Sequence, residues 1–296
     1  MITSGKSDMA RNLMLQRTGT GLRQTVSRLT AELASGRTTD TPRALRGNLI
    51  QLAEVERGIL QTTQGTTSAK FASTILASQQ SAVGQIGAIT QNISHDLQTS
   101  AQAQGRQAMA GSSDRARAGF EDAISLLNTK TAGRYIFSGV SGDEAPFADA
   151  DTILNAVAAS LPPTPSVADM KAHVAAWFAE GGPFDTTAYQ GGSAPTEAND
   201  LGEGRSVRFD VTGAEKGIRD SLAGLALGAL AANNSAGQDI SETRDLLMAG
   251  VQALATAAPS RIAVEARIGE QEARAADAQA HFETLNTALQ VIQTEL

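Results

Sequence analysis

Three histidines and a scatter of carboxylates are the side chains with the makings of a reaction centre, and their spacing argues against one. His95, His173 and His281 fall in three separate segments. Ser94-His95-Asp96 spells the residue types of an acyl-transfer triad, in which an acid orients an imidazole and the imidazole takes a hydroxyl proton. Neighbours at i, i+1 and i+2 point to different sides of a helix, so these three cannot converge. Glu270, Glu272 and Asp277 near His281 are metal-ligand types, but charges spaced this way on a long helix form its wet face. No Walker A, G-x-S-x-G or G-x-G-x-x-G pattern occurs; Gly19-Thr20-Gly21 lacks the third glycine and a preceding strand. The chain has no cysteine, which removes disulfide and thiolate chemistry. Asn92-Ile93-Ser94 and Asn233-Asn234-Ser235 fit a glycosylation acceptor, a pattern frequent by chance. The expectation is a chain with no catalytic residue, no metal and no cofactor, whose work is done by surfaces.

Those surfaces begin at the two ends. Leu15, Leu22, Val26, Leu29 and Leu33 fall at heptad spacing, and residues 239 to 296 form a long Ala-rich run studded with Glu and Arg. Helices patterned in this way cannot bury their apolar stripes alone and must meet each other or other copies. Only 4% of residues are aromatic, a composition suited to long helices with thin, repetitive interfaces. The net charge of −7 is unevenly spread. Residues 1 to 57 carry nine basic and five acidic residues, net +4; residues 140 to 215 carry three basic and twelve acidic, net −9. The arginines of the first arm (Arg11, Arg17, Arg23, Arg28, Arg37) are spread out and lack interleaved aromatics, so they read as a coiled-coil flank rather than a nucleic-acid patch. No run of 18 apolar residues is present, so no membrane span is expected. Met1 to Asn12 has no apolar core and no small-residue cleavage site. The chain is therefore expected in the cytoplasm or exported without a cleaved signal.

The spacing predicts helix over residues 1 to 34, stopped at Ser35-Gly36, with a new start at Thr41-Pro42. Helical stripes follow at Leu45 to Ile59 and Leu76 to Leu97, with the Thr/Gln/Gly-rich stretch Gln61 to Ser68 as a candidate interruption. Phe120, Ile124 and Leu127 mark a further helix. The character then changes. Eight of the eleven aromatics lie between 135 and 209, and six of the eight prolines between 146 and 195. Arg134 to Gly139 is β-prone, with Tyr135 and Phe137 expected to alternate with Ile136 on a strand; Ser206 to Val211 alternates as another. Two short helices are expected at 149–161 and 166–180. Residues 140–215 thus read as an inserted α+β module with its own small aromatic core, Trp177-Phe178 included. Helix returns at 218–232 and from 239 onward, with Pro259 marking a kink or join. The fold class is mainly α: an elongated helical bundle with terminal coiled-coil arms and a small inserted α+β domain. Its parts are an N-terminal arm (1–42), two bundle parts (43–139 and 216–270) flanking the insert (140–215), and the start of a C-terminal arm (271–296).

Three short motifs carry a family resemblance. Glu32-Leu33-Ala34-Ser35-Gly36-Arg37, followed by Asp40-Thr41-Pro42, resembles the N-terminal signature of flagellins and their relatives. Gly133-Arg134-Tyr135-Ile136-Phe137-Ser138-Gly139 resembles a stretch of one branch of that family, the type-3 hook-associated proteins that join hook to filament. Ala266-Arg267-Ile268-Gly269 resembles an R-I-G motif in the family's C-terminal helix. Thr41 departs from the Asp-Asp-Pro of filament flagellin itself. Relatives continue with further C-terminal helix, so part of the partner for the N-terminal arm is expected to lie beyond Leu296.

The resemblance implies an extracellular structural subunit of the bacterial flagellum, exported through the type III channel without a cleaved signal peptide. Its termini would pair as a coiled coil in an inner tube and its insert would project outward. Implied partners are copies of itself, flagellin, neighbouring hook-associated proteins and a flagellar export chaperone, with neither nucleic acid nor membrane. The residues expected to matter are Leu15, Leu22, Val26, Leu29 and Leu33 at the assembly interface, and the motif positions Ser35, Gly36, Pro42, Tyr135, Phe137, Gly139, Arg267 and Gly269. Two alternatives stand beside it. One is filament flagellin. The other is a helical chemoreceptor-like signalling module, which predicts a continuous hairpin without the aromatic, Pro-rich middle.

Overall fold

A computed structural model describes residues 4–35, 49–103, 105–163, 165–192, 198–231 and 239–295. Helix dominates: α1 (Ser4–Ser35), α2 (Leu49–Gln102), α3 (Arg106–Leu127), α4 (Ala150–Ala159), α5 (Val167–Trp177), α6 (Lys216–Leu230) and α7 (Ile240–Glu295). A π-helical turn occupies Phe184–Ala188. Two antiparallel hairpins complete it: β1 (Lys130–Thr131) with β2 (Arg134–Tyr135), and β3 (Asn199–Gly202) with β4 (Arg205–Val207). Ala132 and Gly133 turn the first hairpin at φ +51° and +85°, the left-handed pair that a two-residue hairpin loop requires. The mainly α class with a small β part is as the sequence predicts.

The chain divides into two compact units. One holds Met1–Gln61 with Leu285–Leu296, the other Thr62–Thr284. In the first, the Asn286 amide donates to the Ile59 carbonyl (3.3 Å). Gly58 also lies so close to Leu289 that an added Cβ would come within 2.9 Å of its Cδ1. In the second, α6 is buried along almost its whole length. An added Cβ at Gly217 would meet the Ser260 and Arg261 backbone at 2.6 Å, at Gly224 the Leu254 side chain at 2.6 Å, and at Gly228 Leu97 at 2.9 Å. Leu76, Ile86 and Leu97 of α2, Met109, Phe120 and Leu127 of α3, and Leu254 and Ile268 of α7 fill the core around it.

Several expectations are corrected, each for a visible reason. Gln61 to Ser68 does not interrupt α2. Thr66 and Thr67 turn their hydroxyls back onto the Thr62 and Thr63 carbonyls (2.8 and 2.9 Å), so they join the helix instead of competing with it. Gly65 leaves room for the Phe282 ring, 2.8 Å from where a Cβ would stand. Of the kink or join expected at Pro259, the join is absent, since α7 runs through it. The proline has no N–H for the Ala255 carbonyl, but both residues are exposed, so solvent can take that acceptor. The second hairpin stops at Val207 because the next N–H, on Arg208, donates to Gln271 Oε1 of α7 (3.0 Å) and leaves the ladder. By length and composition one stretch of α7 could cross a membrane. Here its Leu247, Leu254, Val264 and Ile268 are buried in protein.

Among the described residues, the aromatic core expected for the insert alone is shared with the helices. Phe147, Trp177, Phe178, Phe184 and Tyr189 form one ring cluster, with centroids 4.8 to 6.4 Å apart, and this cluster is continuous with the helical core. Asn128, just past α3, brackets the Phe147 backbone, donating to its carbonyl (3.1 Å) and accepting from its N–H (3.0 Å). Arg117 of α3 pairs with Asp151 of α4 at 2.7 Å. Because the described buried residues form one continuous core, Phe137→Ala should lower one cooperative calorimetric transition by about 3–5 kcal/mol rather than remove a small separate one.

Candidate assembly surfaces

The heptad residues of α1 show what the sequence left open. Leu15 and Leu22 are each 67% exposed, Val26 56%, Leu29 53% and Leu33 88%. All five thus stand more than half exposed along one helix. The hydroxyls of Thr18, Thr20, Thr25 and Thr30 bond back to carbonyls one turn earlier and so are satisfied within the helix. Ser35 is the last residue of α1. Gly36 and Pro42 lie outside the described residues, as do the Arg37, Asp40 and Thr41 of the same motif.

The Tyr135–Gly139 motif is a root, not a strand. β2 ends at Tyr135, and both Ile136 (5% exposed) and Phe137 (0%) point inward, so the expected alternation is absent. The reason is that main-chain groups here bond to other segments rather than to a ladder. The buried Gln79 amide of α2 donates to the Ile136 carbonyl (2.6 Å) and to that of Val211 (3.2 Å). Gly213 N–H donates to the Phe137 carbonyl (2.9 Å), and Gly192 N–H to that of Ser138 (2.8 Å). Gly139 takes φ +59°, the left-handed region that favours glycine. Tyr135 is half-buried, with the Lys130 ammonium 5.2 Å above its ring.

Arg267 pairs with Glu215 at 2.7 Å, fastening α7 to the start of α6. Gly269 has open space where a Cβ would stand, so its lack of a side chain answers to nothing among the described residues. The histidines serve local contacts. His173 shares a hydrogen bond with Ser160 (2.8 Å), His281 lies 2.9 Å from Glu203, and the Asp96 carboxylate is taken by Arg115 at 2.8 Å. Among the described residues, no group of three or more His, Asp and Glu is placed to hold a metal ion.

Sequence reasoning missed the Arg219 junction. This arginine, on α6, is only 8% exposed. It donates to the Ala214 carbonyl (2.6 Å) and the Ala179 carbonyl (3.2 Å), pairs with Asp185 at 2.5 Å, and lies 4.6 Å from the Phe184 ring centroid. One guanidinium thus stitches α6 to the insert from three sides. The signal was present: Arg219 shares the helical face of Leu222 and Ala226, a charge in register with a core stripe. Arg261 repeats the device on α7, donating to Thr90 Oγ1 of α2 (2.8 Å) beside Glu265.

No protein-family model matches this chain, and no curated protein matches its sequence. Solved structures do match in shape. A flagellar hook-associated protein of Vibrio parahaemolyticus aligns at a TM-score of 0.57 and 13% identity, over 83% of this chain and 96% of that one. FlgL of Bacillus cereus aligns at 0.42 and 16% identity, over 85% and 100%. The chain shares the fold of the Vibrio hook-associated protein.

The insert root gives a pH test. Tyr189 holds its hydroxyl within reach of the Phe137 and Gly192 carbonyls (3.2 and 3.1 Å), and burial raises its pKa above the usual phenol value. The folded state therefore holds this proton more tightly than the unfolded chain. The resulting stability is complete below about pH 10 and is lost as pH rises from there through the folded pKa. Tyr189→Phe should lower stability near neutral pH by about 1–3 kcal/mol, and it should show a shallower alkaline loss than the parent when both are unfolded in urea across pH 8 to 11.5.

Proposed function

We propose that this protein is a structural subunit of the bacterial flagellum, placed at the junction of hook and filament, and that it performs no catalysis. The observation that carries the reading is the open heptad face of α1, five apolar residues each more than half exposed. Leaving such a face in water is unfavourable, so it is built to be covered by another helix. The shared fold with a hook-associated protein supports this class of assembly, and the Tyr135–Gly139 motif favours the junction branch over filament flagellin. Copies of the chain would meet through their arms, with flagellin and neighbouring hook-associated proteins above and below. Delivery would be by flagellar export with its chaperone, without a cleaved signal, to an extracellular site.

Two experiments test this. Negative-stain images of flagella from a deletion strain should show hooks lacking filaments, with monomeric flagellin shed into the medium; thinned or lost filaments on an intact junction would move the assignment to flagellin. Separately, Leu22→Asp or Leu29→Asp should abolish swimming and assembly while leaving the monomer's circular dichroism and melting unchanged. A charge in a packed seam costs several kcal/mol in each repeated contact, whereas both positions are exposed in the monomer. A variant that swims would refute the role of α1.

A further inference from the structure

Away from the α1 arm, α7 carries a second open face. Between Asp245 and Glu265 its sole charged side chain is Arg261, which is buried at 4% exposure. Met248, Gln252, Ala255, Pro259, Ile262 and Ala266 recur at alternating spacings of four and three, and all are exposed. Met248 (40%) and Ile262 (56%) are the bulky members. Water-facing helix surfaces ordinarily carry charge, and this one carries none over about five turns.

A matching surface lies on α2. From Phe71 to Ser94 no residue is Asp, Glu, Lys or Arg. Thr74, Ala77, Ser81, Gly84, Ala88 and Gln91 follow the same heptad and are all exposed. Their polarity is largely spent at home. Thr74 donates to the Lys70 carbonyl (2.9 Å), Ser78 to the Thr74 carbonyl (2.9 Å), and Gln85 to Ser81 Oγ (3.1 Å). Beside this face runs a shallow groove of about 590 Å³, lined by Ser73, Ala77, Ser81, Gln85, Leu126 and Thr129. One face has apolar knobs and the other small residues with a hollow. Met248 to Ile262 and Ala77 to Gln91 both span fourteen residues, about 21 Å of helix.

We infer that the α7 face of one copy docks on the α2 face of a second copy, with Ile262 seated in the Ala77–Ser81 groove. Two different patches meeting in this way make a heterologous contact, which passes from copy to copy into a ring or an open filament rather than pairing two copies through the same patch. Charge neutrality on both sides fits a partner that is the chain itself. A charged partner would leave its charges desolvated against either face.

The inference rests on reading the chain as an assembly subunit, but its test is separate from the flagellar phenotype. The chain has no cysteine, so Ile262→Cys and Ser81→Cys can be made in full-length protein and mixed under mild oxidation at a concentration where the parent self-associates. The mixed pair should form a disulfide-linked dimer, and neither variant alone should do so. Ile262→Cys mixed with Glu180→Cys serves as the collision control. A mixed pair no better than this control overturns the contact, as do Ile262→Cys homodimers or a parent that stays monomeric at every concentration. As a second arm, Ile262→Lys and Ser81→Glu should each reduce association in sedimentation, and mixing the two should restore it. Flagella that assemble without the crosslink refute this contact alone.

Discussion

Everything in the larger unit hangs on how closely α6 can lie against its neighbours. Gly217, Gly224 and Gly228 leave no space for a side chain between this helix and the backbones or leucines of α7 and α2. Such close approach multiplies dispersion contacts and lets main-chain groups meet across helices. Ser113 of α3 uses it, donating to the Gly228 and Ala229 carbonyls at 2.7 and 2.9 Å. Glycine inside a helix costs roughly 1 kcal/mol relative to alanine, and here that cost is offset by a core too tight for anything larger. An Ala-rich chain with few aromatics can still build a dense interior, because density comes from short distances rather than bulky rings.

Much of this was legible in the sequence. Apolar spacing placed α1 and α7 closely, α2 in two pieces and α3 by its C-terminal half, and Ser166 with Asp169 forms a reciprocal capping box at the start of α5, where the short helix was expected. The failures share one cause. Composition marked Gln61 to Ser68 as a break and 140–215 as a separate body, but composition is local and the deciding partners are distant. Phe282 makes Gly65 useful in a helix, and Arg219, some forty residues from Ala179, fastens the insert. Periodicity reports which face is buried and not what buries it. The same holds for the surfaces. The α1 heptad was readable at once because its leucines stand out. The α2 face went unnoticed because threonine, serine, alanine and glycine look like filler until exposure shows them standing in one row.

The two kinds of arginine in the structure separate connection from contact. Arg219 and Arg261 are buried and bonded to carbonyls, a hydroxyl and carboxylates of their own chain. Removing one partner from such a site strands a charge and costs about 3–5 kcal/mol. Arg267–Glu215 and Arg274–Glu270 are largely exposed pairs and contribute about 0–1 kcal/mol. The buried arginines therefore set how the insert and α7 are held, while the exposed charges keep the remaining surfaces in water.

Gln79 has one more implication. Its amide grips the main-chain carbonyls of Ile136, just before the insert, and of Val211, near the insert's end, so both bonds go to main-chain atoms. Gly213 and Gly192 likewise bond to carbonyls, of Phe137 and Ser138. Peptide groups are the same in every residue. A socket that reads only peptide groups is indifferent to the letters spelled between its two ends. The side chains of the intervening segment are constrained elsewhere, at the shared core, at Arg219 with Asp185 and at Arg117 with Asp151. The frame is thus set by the main chain, and the panel it holds is fixed by side chains of its own.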